Sequence, residues 1–367
     1  MATMKLDRIG SVAAALAAAL AAALALGACG TTGGAGDART EADLVYTKKP
    51  ILAAALAIDG LYEETTIDAL GAEAARLAAE TGARIDLASA VVDPYDESGL
   101  ASRLEVWRAE GRDRFLSLSW RLDGAMAEAA VTYPDARFAG VESALRGPNA
   151  VNVKFKEGEA AFVAGWASAL AAKERGLPAV GFLGVLENAF EVSLEAAFGA
   201  GARAAWPEVA LEAYYLPDGS AENREGKLAE ALYARGAAAI VLSPYFFMAI
   251  PVLEAAALRA ASGDPRWVVG LIDDPRSLLG GNPQPNLLLS VTGDRAALAS
   301  EALRLLAADA FEGDRSVTLG AAEGAWKLSA DNPPEGEALV PELEAVLARI
   351  AAGEFDIPDF PEERYLR

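Results

Sequence analysis

PAVGFLGVLENAFEVSLEAAFGAGARAAWPEV, residues 178–209, holds the pattern that most constrains this chain. An apolar run of strand length follows a proline, a short polar turn comes next, an alanine-rich helical stretch follows, and a second apolar run begins. The pattern recurs along most of the sequence. ILAAALAI, RIDLASAVV, RFLSLSW, ARFAGVE and AVNVKF read as strands, with helices over Thr65–Thr81 and Ser98–Glu110 and a third running through Ala130. It then restarts. Helices over Glu157–Lys173, Phe190–Trp206, Asn223–Ala234 and Phe247–Ala261 alternate with PAVGFLGV, VALEAYYL, AAAIVLS and RWVVGLI. Apolar strands alternating with helices imply mostly parallel sheets covered by helices on both faces. Two such runs in 367 residues imply an α/β chain of two lobes.

The tail supplies NLLLSV, a helix over Arg295–Ala308, SVTLG and a helix over Pro341–Ala351, too little for a third domain. These pieces are expected to return to the lobes already built. The resulting division is 49–155 with 292–318 for lobe 1, 156–291 with 319–360 for lobe 2, and 361–367 as a tail. Repeated crossings make a multi-strand hinge, which suits lobes that close on a ligand.

Lys5 and Arg8 precede a long alanine- and leucine-rich run that ends Leu26-Gly27-Ala28-Cys29. A short basic region followed by an apolar core is a secretory leader. Its ending resembles the lipobox of bacterial lipoproteins, in which Cys29 becomes the acylated N-terminus. Residues 1–28 then form the signal peptide and 29–48, rich in glycine, a flexible tether. The expected location is outside the cytoplasm, anchored to a bacterial membrane by lipid on Cys29.

The formal charge of −21 would repel polyanions, so nucleic acid is excluded as a partner. Histidine is absent and Cys29 is the sole cysteine, which removes the commonest metal ligands and the usual triad base. No metal, cofactor or catalytic residue is expected, and the chain reads as a binding protein rather than an enzyme. Asp273-Asp274 is a carboxylate pair of the kind a hydrolase uses, but no base or metal motif accompanies it.

GPNAVNVKFKEGEAAFVAGWASALAAK, residues 147–173, resembles the basic membrane lipoprotein family, PnrA-like purine nucleoside-binding lipoproteins of the type I periplasmic binding fold. The matching positions are Pro148, Asn149, Phe155, Lys156, Glu157, Glu159, Ala164 and Gly165. Residues 179–209, ALYARGAAAIV, RWVVGLIDD and ARIAAGEFDIPD extend the likeness over roughly 50–358. The resemblance implies a substrate-binding lipoprotein that delivers a small molecule to the permease and ATPase of an ABC importer. The nucleoside signature itself is eroded. Thr65-Thr66-Ile67 falls where the family has Ser-Phe-Asn, Ile272 where it has a ribose-binding aspartate, and Thr292-Gly293-Asp294 lacks its lysine. A ligand other than an ordinary purine nucleoside is expected.

In parallel sheets ligands sit beyond the carboxyl ends of the strands. The candidate ligand residues there are Asp59 after the first strand, Trp120 and Arg121 after the third, and Glu142 after the fourth. Glu187 and Asn188, Tyr245 and Phe246, and Asp273 and Asp274 follow strands of the second run. Aromatic rings would stack on a flat ligand, and the acids would accept from its hydroxyls or amines. Against these stand ordinary uses: helix caps, solvated acids and packed aromatics. A lipid-anchored sensor with the same fold, acting without transport, is the alternative function.

Overall fold

The computed structural model describes residues 50–58, 63–216, 224–243, 248–282, 284–329 and 332–358. The first run builds β1 (Ile51–Ile58), α1 (Glu63–Thr81), β2 (Ile85–Val92), α2 (Glu97–Ala109), β3 (Arg114–Ser117), α3 (Asp123–Thr132), β4 (Arg137–Val141) and β5 (Ala150–Phe155). The second run builds α4 (Glu157–Arg175), β6 (Ala179–Gly184), α5 (Ala189–Ala205), β7 (Ala210–Tyr215), α6 (Arg224–Ala234), β8 (Ala237–Leu242), α7 (Ala249–Ala261), β9 (Trp267–Ile272) and β10 (Leu287–Gly293). The chain continues through α8 (Arg295–Ala307), β11 (Arg315–Leu319), β12 (Trp326–Leu328) and α9 (Val340–Ala351).

These elements form two six-stranded sheets, ordered β11-β5-β4-β3-β1-β2 and β12-β10-β9-β8-β6-β7. All pairings are parallel except β10 with β12. Two compact units follow from them. The N-terminal unit contains the described chain to Phe155 plus Asp294–Leu319, and the C-terminal unit contains Lys156–Gly293 plus the chain from Gly320.

In the N-terminal unit, Phe115 and Phe138 stack across β3 and β4 with ring centroids 5.3 Å apart. Both are fully buried, each contributing about 1.5–3 kcal/mol by transfer from water. Asn149 of the Pro148-Asn149 pair donates to the carbonyls of Ala130, Tyr133 and Ala136, so it closes the end of α3 and the turn beyond it. Arg114 and Arg137 donate to Leu306 and Ala308, carbonyls at the end of α8 that have no partner within the helix. That double cap seats the returning helix against β3 and β4.

In the C-terminal unit β6, β8 and β9 are buried along their whole length, as strands covered on both faces must be. Helix α4 is buried nearly all round, from Ala160 to Ala172. It lies against α5 closely enough that a Cβ on Gly165 would sit 2.0 Å from the Phe198 carbonyl oxygen. A Cβ on Gly201 would sit 1.9 Å from that of Phe162. Glu159 in the first turn of α4 receives the backbone N–H of Ala321 at 2.6 Å and the Trp326 indole N–H at 3.1 Å. The second acid of the KEGE motif is thus the clasp that holds the returning segment and β12.

Two local differences from the sequence reading have clear causes. RFLSLSW is not extended to its end. β3 stops at Ser117, and Ser119 caps a 3-10 turn, Trp120–Leu122, by accepting from the Arg121 N–H. β12 is a strand the sequence reading lacks, three residues long and placed by Glu159 and β10.

Candidate functional site

The carboxyl edge of each sheet gathers the polar groups, and the two edges differ. In the N-terminal unit, β4 ends on Glu142, whose φ of 50° lies in the left-handed region. The turn carries its carboxylate to Arg295 at the start of α8, with Nε 2.6 Å from Oε2. Asp294 caps that helix by accepting from the Ala297 N–H. Behind Glu142, Ser143 donates to Asp123 at 2.5 Å and the Ala144 N–H donates to the same carboxylate at 2.8 Å. Burial pushes the Asp123 carboxyl above its usual range, although both bonds pull it down.

Trp120 is exposed, at 39 % of its surface, and the Arg121 guanidinium lies over its ring at 5.7 Å. That stack presents a flat cationic and aromatic surface beside the end of β3. Ser117 ends β3 with its hydroxyl buried and without a partner among the described residues.

In the C-terminal unit, β9 ends on Ile272 at φ 67°. A β-branched residue in that conformation is strained by about 1–3 kcal/mol, and such strain collects at sites of function. It delivers Asp273, 8 % exposed, and Asp274. Asp274 accepts from the Arg276 N–H and pairs with its guanidinium at 2.6 Å, so it caps the short 3-10 helix that follows. Asn188 caps α5 by accepting from the Glu191 N–H, and Glu187 beside it is exposed. Of the described candidates, Glu142, Asn188 and Asp274 therefore carry structural bonds, while Trp120, Arg121 and Glu187 face solvent at least in part. Asp59, Tyr245, Phe246 and Cys29 lie outside the described residues.

Two acids that sequence reasoning passed over are buried at this edge. Glu191 and Glu195 follow one another at one turn's spacing on α5 and are 0 % and 3 % exposed. Glu195 accepts from the Tyr215 hydroxyl. Glu191 accepts from Ser243, which follows β8, at 2.6 Å, and its other oxygen, Oε2, has no partner among the described residues. Burial pushes the Glu191 carboxyl up to about 7, against the opposing pull of Ser243 and the Val185 N–H. The signal was available: Glu191, Glu195, Phe198 and Ala202 share one helical face, which places two carboxyls on an apolar stripe.

An open groove of about 480 Å³ between α1 and the edge strand β2 contains none of the candidate side chains. Among the described residues no cluster of three metal-ligating side chains occurs, and no helix is long and apolar enough to cross a membrane.

The chain is similar to the CD4+ T-cell-stimulating antigen of Listeria innocua, with 24% identity over 259 residues, 68% of this chain and 71% of that one. It is similar also to the ABC transporter nucleoside-binding protein BmpA of Lactococcus lactis, with 23% identity over 232 residues, 61% of this chain and 65% of that one. A solved ABC transporter solute-binding protein from Conexibacter woesei superposes with a TM-score of 0.55 at 18% identity, over 84% of this chain and 99% of that one. The fold is the two-sheet α/β fold of type I periplasmic binding proteins. Residues 70–360 match the family described as ABC transporter substrate-binding protein PnrA-like, and by that match over most of its length the chain belongs to this family.

Proposed function

We propose that this chain is an extracytoplasmic solute-binding lipoprotein of an ABC importer, held to the membrane by lipid on Cys29 and taking a small, polar, uncharged or weakly basic solute. The family match carries the transport role. The lipobox ending Leu26-Gly27-Ala28-Cys29 supports the anchor. The candidate solute contacts lie at the carboxyl edge of each sheet taken by itself: Trp120 and Arg121 form a stacking surface at the N-terminal unit's edge, and Asp273 and Glu187 carry carboxylates at the C-terminal unit's edge.

The solute is not an ordinary purine nucleoside. Ile272 stands where the resemblance places a ribose-binding aspartate, and its apolar side chain offers no acceptor to a ribose hydroxyl. Glu142, the acid at the end of β4, already holds Arg295.

Native mass spectrometry of the detergent-solubilised full chain tests the binding role, with a carried small molecule expected. Thermal shift with adenosine, guanosine and inosine tests the solute class. Strong stabilisation by any of the three at micromolar concentration overturns it. Incorporation of labelled palmitate, lost in Cys29→Ala, tests the anchor. A lipid-anchored sensor without transport is the second reading, favoured by the same eroded signature. Co-purification of permease and ATPase subunits decides against it.

A further inference from the structure

The carboxyl edge of the second sheet contains a buried acid that forms no ion pair among the described residues. Glu191 sits in the first turn of α5, fully buried, above the ends of β6 and β8. Gly184 at the end of β6 makes the niche, since a Cβ there would lie 2.9 Å from Glu191 Oε2 and 2.6 Å from the Tyr215 ring. One carboxyl oxygen takes the Ser243 hydroxyl, and the other is dry and unbonded among the described residues.

Among the described residues no ion pair reaches Glu191. Glu195 on α5 and Tyr215 on β7 are bonded to each other, Glu187 precedes the helix, and Asp273 ends β9, the strand beside β8. Residues 176–202, 207–223 and 236–258, which contain β6, β7 and β8, have no lysine or arginine, and Arg224 and Lys227 follow in the first turns of α6. Arg276, beyond the carboxyl end of β9, is paired with Asp274. An ionised carboxyl here gains only the positive end of α5 and its few hydrogen bonds, and loses its hydration. A buried polar atom left unsatisfied in a native fold requires an explanation of its own.

We propose that Glu191 is a positioning residue of this edge: as the neutral acid it ties the first turn of α5 to Ser243 at the end of β8, and ionisation opens that tie to water. Ionisation does strengthen the Ser243 bond, because a charged acceptor is the better one. It leaves charged Oε2 dry, however, and desolvation is the larger of the two effects, as the carboxyl's rise to about 7 records. The edge is therefore closed in acid and loosened through neutrality. Its consequence for affinity rests on the solute-binding reading above; the tie itself does not.

The test uses the full chain in detergent, labelled with [δ-13C]glutamate, without solute. One glutamate carbon is expected to titrate near pH 7 in the wild type and to be absent from Glu191→Gln. Amide exchange at Val185, Glu191 and Ser243, corrected for intrinsic rate, is expected to be about tenfold faster at pH 8.5 than at pH 6 in the wild type and unchanged in Glu191→Gln. Ser243→Ala removes a bond that favours the ion, so it moves the titration midpoint upward. The proposal is overturned if no glutamate titrates above pH 6, if the exchange difference survives in Glu191→Gln, or if Ser243→Ala leaves the midpoint in place. An edge that titrates in a protein carrying no small molecule overturns the solute reading alone. A carried molecule above a flat edge overturns this proposal alone.

Discussion

Arg295 binds Glu142 from 153 positions further along the chain, with Nε 2.6 Å from Oε2. Both side chains are largely shielded, at 19 % and 25 % exposure. The bond fastens the start of α8 to the end of β4 and neutralises the acid that the sequence offers as a solute acceptor. It also supports Glu142 in its left-handed conformation, which no glycine relieves.

The pair is expected to couple. Glu142→Gln and Arg295→Ala should each lower stability by about 1–2 kcal/mol, with an interaction energy of about 1 kcal/mol in a double-mutant cycle. Urea unfolding of the two single variants and the double variant measures it. Strictly additive losses would show that the two side chains do not support one another.

Stability should fall as pH rises from about 4.5 to about 7 through Glu191. Its folded form holds the proton more tightly than the unfolded chain, being lifted by burial from 4.5 to about 7. The contribution is full below 4.5 and is lost by the time pH passes the folded value, at most about 3 kcal/mol. Asp123, also raised by burial, contributes with the same sign, its stabilisation being lost as pH rises through its raised value. Glu73 works the other way: burial pushes it up, but its bonds to Arg76 and Arg304 hold it below its usual value, so its contribution is lost as pH falls through that lowered value. Unfolding free energy followed from pH 4 to 8.5 should show a shallower alkaline loss in Glu191→Gln than in wild type. Parallel profiles would refute the assignment.

Helix α4 meets α5 backbone to backbone, so the two glycines at the contact cannot take a methyl group. Gly165→Ala and Gly201→Ala should each cost more than about 2 kcal/mol, because the atoms in the way are backbone carbonyls that move only with their helix. Gly71→Ala on the exposed face of α1 meets nothing within 4 Å and should stabilise by about 0.5–1 kcal/mol. Thermal melts of the three variants read all of this. Equal effects at the three sites would contradict the packing.

Glu159 holds the returning chain by two hydrogen bonds to one oxygen. Glu159→Ala should cost about 2–3 kcal/mol, since charge-assisted bonds are lost and two donors are left without a partner. Trp326 emission should shift to longer wavelength as β12 loosens. An unchanged spectrum in a stable variant would show that β10 alone holds the strand.

Much of the fold was legible because its cause is local. Strands such as AAAIVLS and RWVVGLI are apolar on both faces, and only a sheet covered on both sides accommodates that. The helix limits rest on equally local chemistry, with Asp294 and Asn188 as N-caps and Gly176 as a left-handed stop after α4. β12 escaped notice because three residues carry no periodicity, and Glu159 and β10 place it from elsewhere in the chain.

The site was less legible, for a different reason. A polar side chain after a strand has the same local sequence whether it waits for a solute or caps a helix. Asn188 and Asp274 turned out to cap, and Glu142 to hold an arginine. For Glu142 the decision lay with Arg295, a partner brought by another element. Glu191 is the reverse case, an acid in a helix whose meaning depends on Ser243, Gly184 and Tyr215 closing around it. The sequence by itself determined the two βα runs and the family, since hydrophobic period and turn chemistry act over a few residues. The tertiary structure alone decided which charges are paired and which are buried, because a charge's energy depends on what surrounds it in space.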